Sequence, residues 1–267
     1  MTVVNGETLA VAVPGPSLGD FEAAREVLAS VAQITPMETS RHLGGILGAP
    51  VYLKCENLQR TGSYKIRGAY NRMSSLTEEE KARGVVAASA GNHAQGVAFA
   101  ARELGIKATI FTPTGVALPK LQATRAYGAE VILTGDTMAE PLQAASDFAK
   151  ETGAVRIPPF DHFDVVAGQG TVGLEILDQV PDVETVVVPI GGGGLMSGVA
   201  SVMKQRAAAE GRTIRVIGVQ AKNAAPYPLS MAAGEIVEVP VLPTIADGIA
   251  VSKPGELNFE IISRTVD

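Results

Sequence analysis

Between Val85 and Val219 short apolar runs alternate with segments of helix length, and this alternation restricts the fold more than any other feature. Residues 85–89, 108–112, 131–134, 185–190 and 214–219 are apolar, largely β-branched runs of strand length. Helical segments lie between them. Residues 94–104 put Val97, Ala98, Ala101 and Leu104 on one face, and helices are predicted over 119–127, 138–151, 171–179 and 195–206. Pro141 falls in the first turn of its helix, where an absent N–H is tolerated. Such alternation predicts an α/β fold whose parallel sheets are covered on both faces. An irregular stretch over residues 158–164 divides it into two α/β lobes with a cleft between them. Ligands in such folds sit at the carboxyl ends of strands. Upstream, Asp20 can cap a helix over residues 21–32, with Ala24, Val27, Leu28 and Val31 as its apolar stripe, and residues 51–54 read as a strand.

The strand at 185–190 runs straight into Gly191, Gly192, Gly193 and Gly194, and a helix follows. Without Cβ atoms, backbone amides can close on an anion, and the helix start adds free N–H groups and a positive dipole end. The loop is therefore a phosphate cradle. It is not a dinucleotide fingerprint, because Met196 or Ser197 stands where G-x-G-x-x-G needs its third glycine. Nor is it a Walker loop, since Val199 and Ala200 follow Gly198 where Gly-Lys-Ser/Thr is required. The plain alternative is a tight strand–helix turn with no ligand.

Two other clusters carry chemistry. Lys65 lies in Thr61-Gly62-Ser63-Tyr64-Lys65-Ile66-Arg67-Gly68-Ala69, where burial would disfavour the ammonium and yield a nucleophilic amine; the alternative is a solvated lysine near a turn. Ser89-Ala90-Gly91-Asn92-His93 sits between a strand and a helix, where helix-start amides suit a carboxylate; alternatively, Asn92 is simply a cap. His42 and His162 have no metal-ligand spacing and read as structural.

A net charge of −6 without a basic block gives no electrostatic footprint for nucleic acid. The lone Cys55 precludes an intrachain disulfide, reads as a buried small side chain and suits a reducing compartment. Residues 1–19 have no basic n-region, and Pro14-Gly15-Pro16 breaks any apolar core, so no secretory leader is expected. Residues 185–203 are uncharged, but five glycines and Pro189 divide them into strand, loop and helix. A cytoplasmic protein with no membrane partner is expected.

In this order the three motifs resemble the fold-type II pyridoxal-phosphate enzymes, most closely the threonine dehydratase (threonine ammonia-lyase) and serine racemase/dehydratase group. The likeness runs from Thr35-Pro36 through the Lys65 motif and Phe160-Asp161-His162, with Ala167-Gly168-Gln169-Gly170-Thr171 before a helix, to Ala246-Asp247-Gly248. It implies a tryptophan-synthase-β-like fold, with a large lobe from residues 1–76 and 160–267 and a small lobe from 77–159. It also implies pyridoxal 5'-phosphate as cofactor, carried covalently by Lys65. Tyr64 would lie on the cofactor ring, where many relatives have phenylalanine. Asn92 would bond the ring hydroxyl, and Gly191, Gly192, Gly193, Gly194 and Leu195 would hold the phosphate. Gly248 would bring backbone against the ring, and Ser89, Gly91 and His93 would grip the substrate carboxylate.

The implied reaction is deaminating dehydration of L-threonine to 2-oxobutanoate and ammonia, in isoleucine biosynthesis or threonine catabolism, with Lys65 as base at Cα. Related racemases carry a serine where this chain has Ala90, so dehydration is expected over racemisation. Gln220 and Ala221 stand where some relatives have an acidic cation site, so no metal is expected. The family habit implies a homodimer or homotetramer. Relatives continue beyond the position of Asp267, with a partner for the pyridine nitrogen and, in biosynthetic enzymes, a regulatory domain; the chain reads as C-terminally truncated. The alternatives are a serine dehydratase or racemase and a non-catalytic homologue that binds without reacting. A nucleotide-binding oxidoreductase is the weakest reading.

Overall fold

Four strands form a parallel sheet in the order Glu130–Leu133, Ala108–Thr112, Val85–Ala88, Val155–Arg156. Both faces of its centre are covered. Val85, Ala87 and Ile110 pack with Val97, Ala98 and Ala101 of the helix Asn92–Leu104. Val86 and Phe111 point the other way, onto Ala145 and Phe148 of the helix Ala139–Thr152. The two-residue periodicity of a strand divides these side chains between the faces, which is why a continuous apolar run was needed. The computed structural model describes residues 15–267 and the backbone of Val3–Val4 and Glu7–Thr8. The leader expectation for residues 1–19 falls largely outside that range.

A second parallel pair joins Thr185–Pro189 to Arg215–Val219. Val186 and Val188 are buried against Val199 and Met203 of the helix Gly194–Ala209. Thr185, Val187 and Pro189 face outward, with Val187 60% exposed. The expectation of cover on both faces therefore fails here among the described residues, because the helices of this unit lie on one side only. A short antiparallel pair, Met37–Thr39 with Tyr52–Lys54, completes the strands downstream of residue 15.

Several helix boundaries differ from the sequence expectation, each for a physical reason. The first helix is Leu18–Leu28; Ser17 caps it and Asp20 returns the hydrogen bond, so Asp20 is the third helical residue of a capping box and not the cap. The helix expected from residue 171 spans Phe163–Gln179 and starts at a His162 cap, whose Nδ1 accepts from the Asp164 amide. Its glycines signal close packing. A Cβ on Gly168 would stand 2.5 Å from the Arg67 carbonyl oxygen, and one on Gly198 would stand 2.5 Å from the Gly170 amide nitrogen. Glycine lets the helices Lys65–Ser74, Phe163–Gln179 and Gly194–Ala209 approach backbone to backbone. No described helix is long and apolar enough to cross a membrane.

Candidate active site

Lys65 is the first residue of the helix Lys65–Ser74, which packs between Asn92–Leu104 and Phe163–Gln179. A run of 3-10 turn, Glu56–Leu58 and Arg60–Gly62, leads into it. Within that run Thr61 is held at φ +65, and it is the only non-glycine with positive φ among the described residues. Backbone strain at a β-branched residue persists where surroundings enforce it, and such positions cluster at functional sites. Sequence reasoning missed this feature, because the strain belongs to the fold.

The Lys65 amine is buried and donates to the Pro159 carbonyl at 2.7 Å, with its nitrogen 5.3 Å from the centre of the Tyr64 ring. Burial pushes its pKa down to about 8. Gly96 makes the approach of the neighbouring helix possible, since a Cβ there would lie 3.1 Å from the Lys65 carbonyl carbon.

His93 is buried one turn from Gly96, and its Nε2 lies 2.9 Å from the Ile157 carbonyl. A carbonyl only accepts, so Nε2 carries the proton. Burial, reinforced by the charge on Lys65, pushes the imidazole down to about 3, so the ring is neutral. Gly91 holds the cap position and Asn92 is the first helical residue, with its side chain exposed; Asn92 is not the cap. The amides of Asn92, His93 and Ala94 donate to no protein group among the described residues. Ser89 accepts from the Gly91 amide at 3.2 Å and shapes the turn.

The glycine loop lies across the irregular segment from these two motifs. Gly193 caps the helix Gly194–Ala209 at φ +108 with no side-chain partner. Gly194, Leu195 and Met196 present amides that donate to no protein group among the described residues. A Cβ on Gly192 would collide with the Phe160 ring, and one on Gly193 would collide with the Tyr227 hydroxyl. Gly248 is exposed in the turn Asp247–Ile249, and a Cβ on Gly191 would lie 3.2 Å from Ile249 Cα. Asp247 reaches Lys120 at 2.8 Å and so ties that turn to the helix Leu118–Ala126.

The segment from Ile157 to Phe160 thus touches all three motifs: Ile157 holds His93, Pro159 holds Lys65, and Phe160 floors the glycine loop. Pro158-Pro159 offers carbonyls without N–H groups, an acceptor-only backbone suited to holding an amine, and this was the one available signal of its role. Behind Lys65, Arg67 is buried with two bonds to Glu56 at 2.8 and 2.9 Å and one to Glu175 at 2.6 Å, while Lys54 pairs with Glu175 at 2.5 Å. Two cations and two carboxylates balance inside the protein. Gln220 is engaged by protein groups, and no cluster of three metal-ligating side chains occurs among the described residues.

Residues 29–267 match the family described as "Pyridoxal-phosphate dependent enzyme". The chain belongs to that family. It is 50% identical over 251 residues to the L-threonine ammonia-lyase of Thermotoga maritima, covering 94% of this chain and 62% of that relative's length. Among solved structures it is similar to maize serine racemase, with TM-score 0.89 and 36% identity over 95% of this chain and 75% of that one. It is also similar to the processed threonine deaminase isoform 2 of Solanum lycopersicum, with TM-score 0.87 and 40% identity over 100% of this chain and 74% of that one.

The donor set of this family member fits the cofactor. Free amides at a glycine-walled helix start suit a dianionic phosphate, and a buried amine whose pKa is lowered to about 8 suits an aldehyde.

Proposed function

We propose that this chain carries the site of a pyridoxal-phosphate-dependent ammonia-lyase that dehydrates and deaminates L-threonine to 2-oxobutanoate and ammonia. The observation that carries the reading is the buried Lys65 amine, lowered to about 8 and aimed by the Pro159 carbonyl. The relative from Thermotoga maritima, named L-threonine ammonia-lyase, supports the substrate.

Lys65 would hold the cofactor covalently, and Gly191 to Leu195 would take its phosphate through backbone amides. Tyr64 would pack beside its ring, Asn92 would bond its hydroxyl, and the turn at Gly248 would close the site. When bound, pyridoxal phosphate supplies an electron sink for charge left at the substrate Cα. Released when the substrate's amino group takes its place on the cofactor, the Lys65 amine would accept the Cα proton, and its placement before substrate arrives supplies much of the rate. The amides after Gly91 orient the substrate carboxylate; Ser89 and His93 shape that turn, and a neutral His93 adds no competing charge.

Serine is the second substrate, by dehydration. The likeness to serine racemase raises the alternative of racemisation, which needs a proton donor on the opposite face of Cα, and the methyl of Ala90 cannot provide one. The same reading separates the lobes at residues 76/77 and 159/160, supported by the four-stranded sheet lying wholly between Val85 and Arg156. It places the protein in the cytoplasm as a homodimer or homotetramer, in isoleucine biosynthesis or threonine catabolism.

Borohydride reduction after adding pyridoxal phosphate should fix the cofactor on Lys65, found by peptide mass mapping, and threonine should yield 2-oxobutanoate. A chain that stays colourless with added cofactor overturns the enzyme reading in favour of a non-catalytic homologue. D-serine formed faster than pyruvate overturns the preference for dehydration.

A further inference from the structure

The Gly192 carbonyl accepts two hydrogen bonds, one from the Tyr227 hydroxyl at 3.1 Å and one from the Gly255 amide at 3.1 Å. All described peptides are trans, so C=O and N–H point in opposite directions within each peptide plane. Fixing the Gly192 carbonyl toward Tyr227 therefore turns the Gly193 amide the other way, and that amide has no acceptor among the described residues. Glycines that allow the loop its conformation also leave it free to rotate; the constraint has to come from outside it.

Tyr227 is suited to supply it. It is 2% exposed in the core that also holds Val188, Met196 and Val216. Burial raises its pKa, so the phenol remains a donor across the neutral range. Its own amide donates to Gln220 Oε1 at 2.9 Å, and Gln220 Nε2 donates to the Ile190 carbonyl at 3.3 Å. Gln220 and Tyr227 thus bond the turn at two points, Ile190 before it and Gly192 within it. The helix Pro226–Ala233 presents Tyr227 from its first turn.

We propose that Tyr227, braced by Gln220, is a positioning residue that holds the Gly192–Gly193 peptide with its N–H toward the cofactor phosphate. This rests on the proposed cofactor. Asn258 backs the same corner without bonding the loop carbonyl, donating to the Phe160 carbonyl at 3.2 Å, so it supports the floor and not the peptide orientation.

The test compares two aldehydes on the full chain, pyridoxal phosphate and pyridoxal, which lacks the phosphate. Affinities come from visible-absorbance titration of wild type and Tyr227→Phe. The substitution keeps the ring in the core and removes one bond to Gly192. Pyridoxal phosphate should bind about tenfold more weakly to the variant, while pyridoxal binding changes less than about twofold. Gln220→Ala should show the same selective loss, smaller in size, and serves where Tyr227→Phe fails to fold by circular dichroism. Equal weakening for both aldehydes marks a merely structural tyrosine and overturns the proposal, as does unchanged binding of both. A wild type that takes up neither aldehyde overturns the cofactor reading and this proposal with it.

Discussion

Lys65 was legible as a residue type in a suggestive setting, but its poise was not, because desolvation depends on which elements close over it. Burial lowers its pKa to about 8, from an ordinary value of 10.5. Below the lower value the amine is protonated in both folded and unfolded chains, and burying that charge costs stability. The cost fades as pH rises from 8 to 10.5, where the folded state has released a proton that the unfolded state still holds. The nucleophilic fraction should therefore rise about tenfold per unit up to pH 8 and then level off. Stopped-flow absorbance of pyridoxal phosphate capture should show this midpoint, and Lys65→Arg should show no capture at any pH. A midpoint near 10 would show that the amine is solvated. His93, held near 3, should add no inflection between pH 5 and 8.

At the scale of elements, strands were read well and helices less so. Apolar runs such as Ala108–Thr112 announce themselves because both sheet faces are covered, whereas Phe163–Gln179 hid its first two turns behind Gly168 and Gly170. Glycine lowers helix propensity, and only the facing backbone reveals why it is used there. The helix Lys65–Ser74 was missed altogether, since Arg67, a charged residue bonded inward to Glu56 and Glu175, interrupts the apolar stripe. Gly168→Ala should force apart the helices carrying Lys65 and Gly168, costing about 1–3 kcal/mol by overpacking. Gly45→Ala is the contrast: a Cβ there meets nothing within 4 Å inside the helix Arg41–Leu47, so stability should hold or rise by about 0.5–1 kcal/mol. Urea midpoints check both. Arg67→Met should be the most damaging of the three at about 3–5 kcal/mol, because Glu56 and Glu175 would keep Lys54 alone as counter-charge.

The whole molecule has a feature that no local pattern announces. The helix Arg41–Leu47 has no buried residue, and Leu43, Ile46 and Leu47 share one of its faces. Ile46 is 67% exposed, Leu47 68% and Ile34 76%, and Leu53 and Leu58 are also exposed. Single exposed apolar side chains are ordinary, but three on one face of a helix that buries nothing point to an interaction surface. Nothing among the described residues buries them. A second copy is the partner that the proposed homo-oligomer supplies, since a two-fold interface pairs such a patch with itself. Leu47→Asp should place a charge in that face, shifting the chain toward monomer in light scattering at micromolar concentration. Its urea midpoint, extrapolated to low protein concentration, should stay within about 0.5 kcal/mol of wild type, because the residue is exposed in the single chain. A wild type already monomeric at that concentration would reject this face as a self-association surface, and an oligomer indifferent to the charge would place the interface elsewhere.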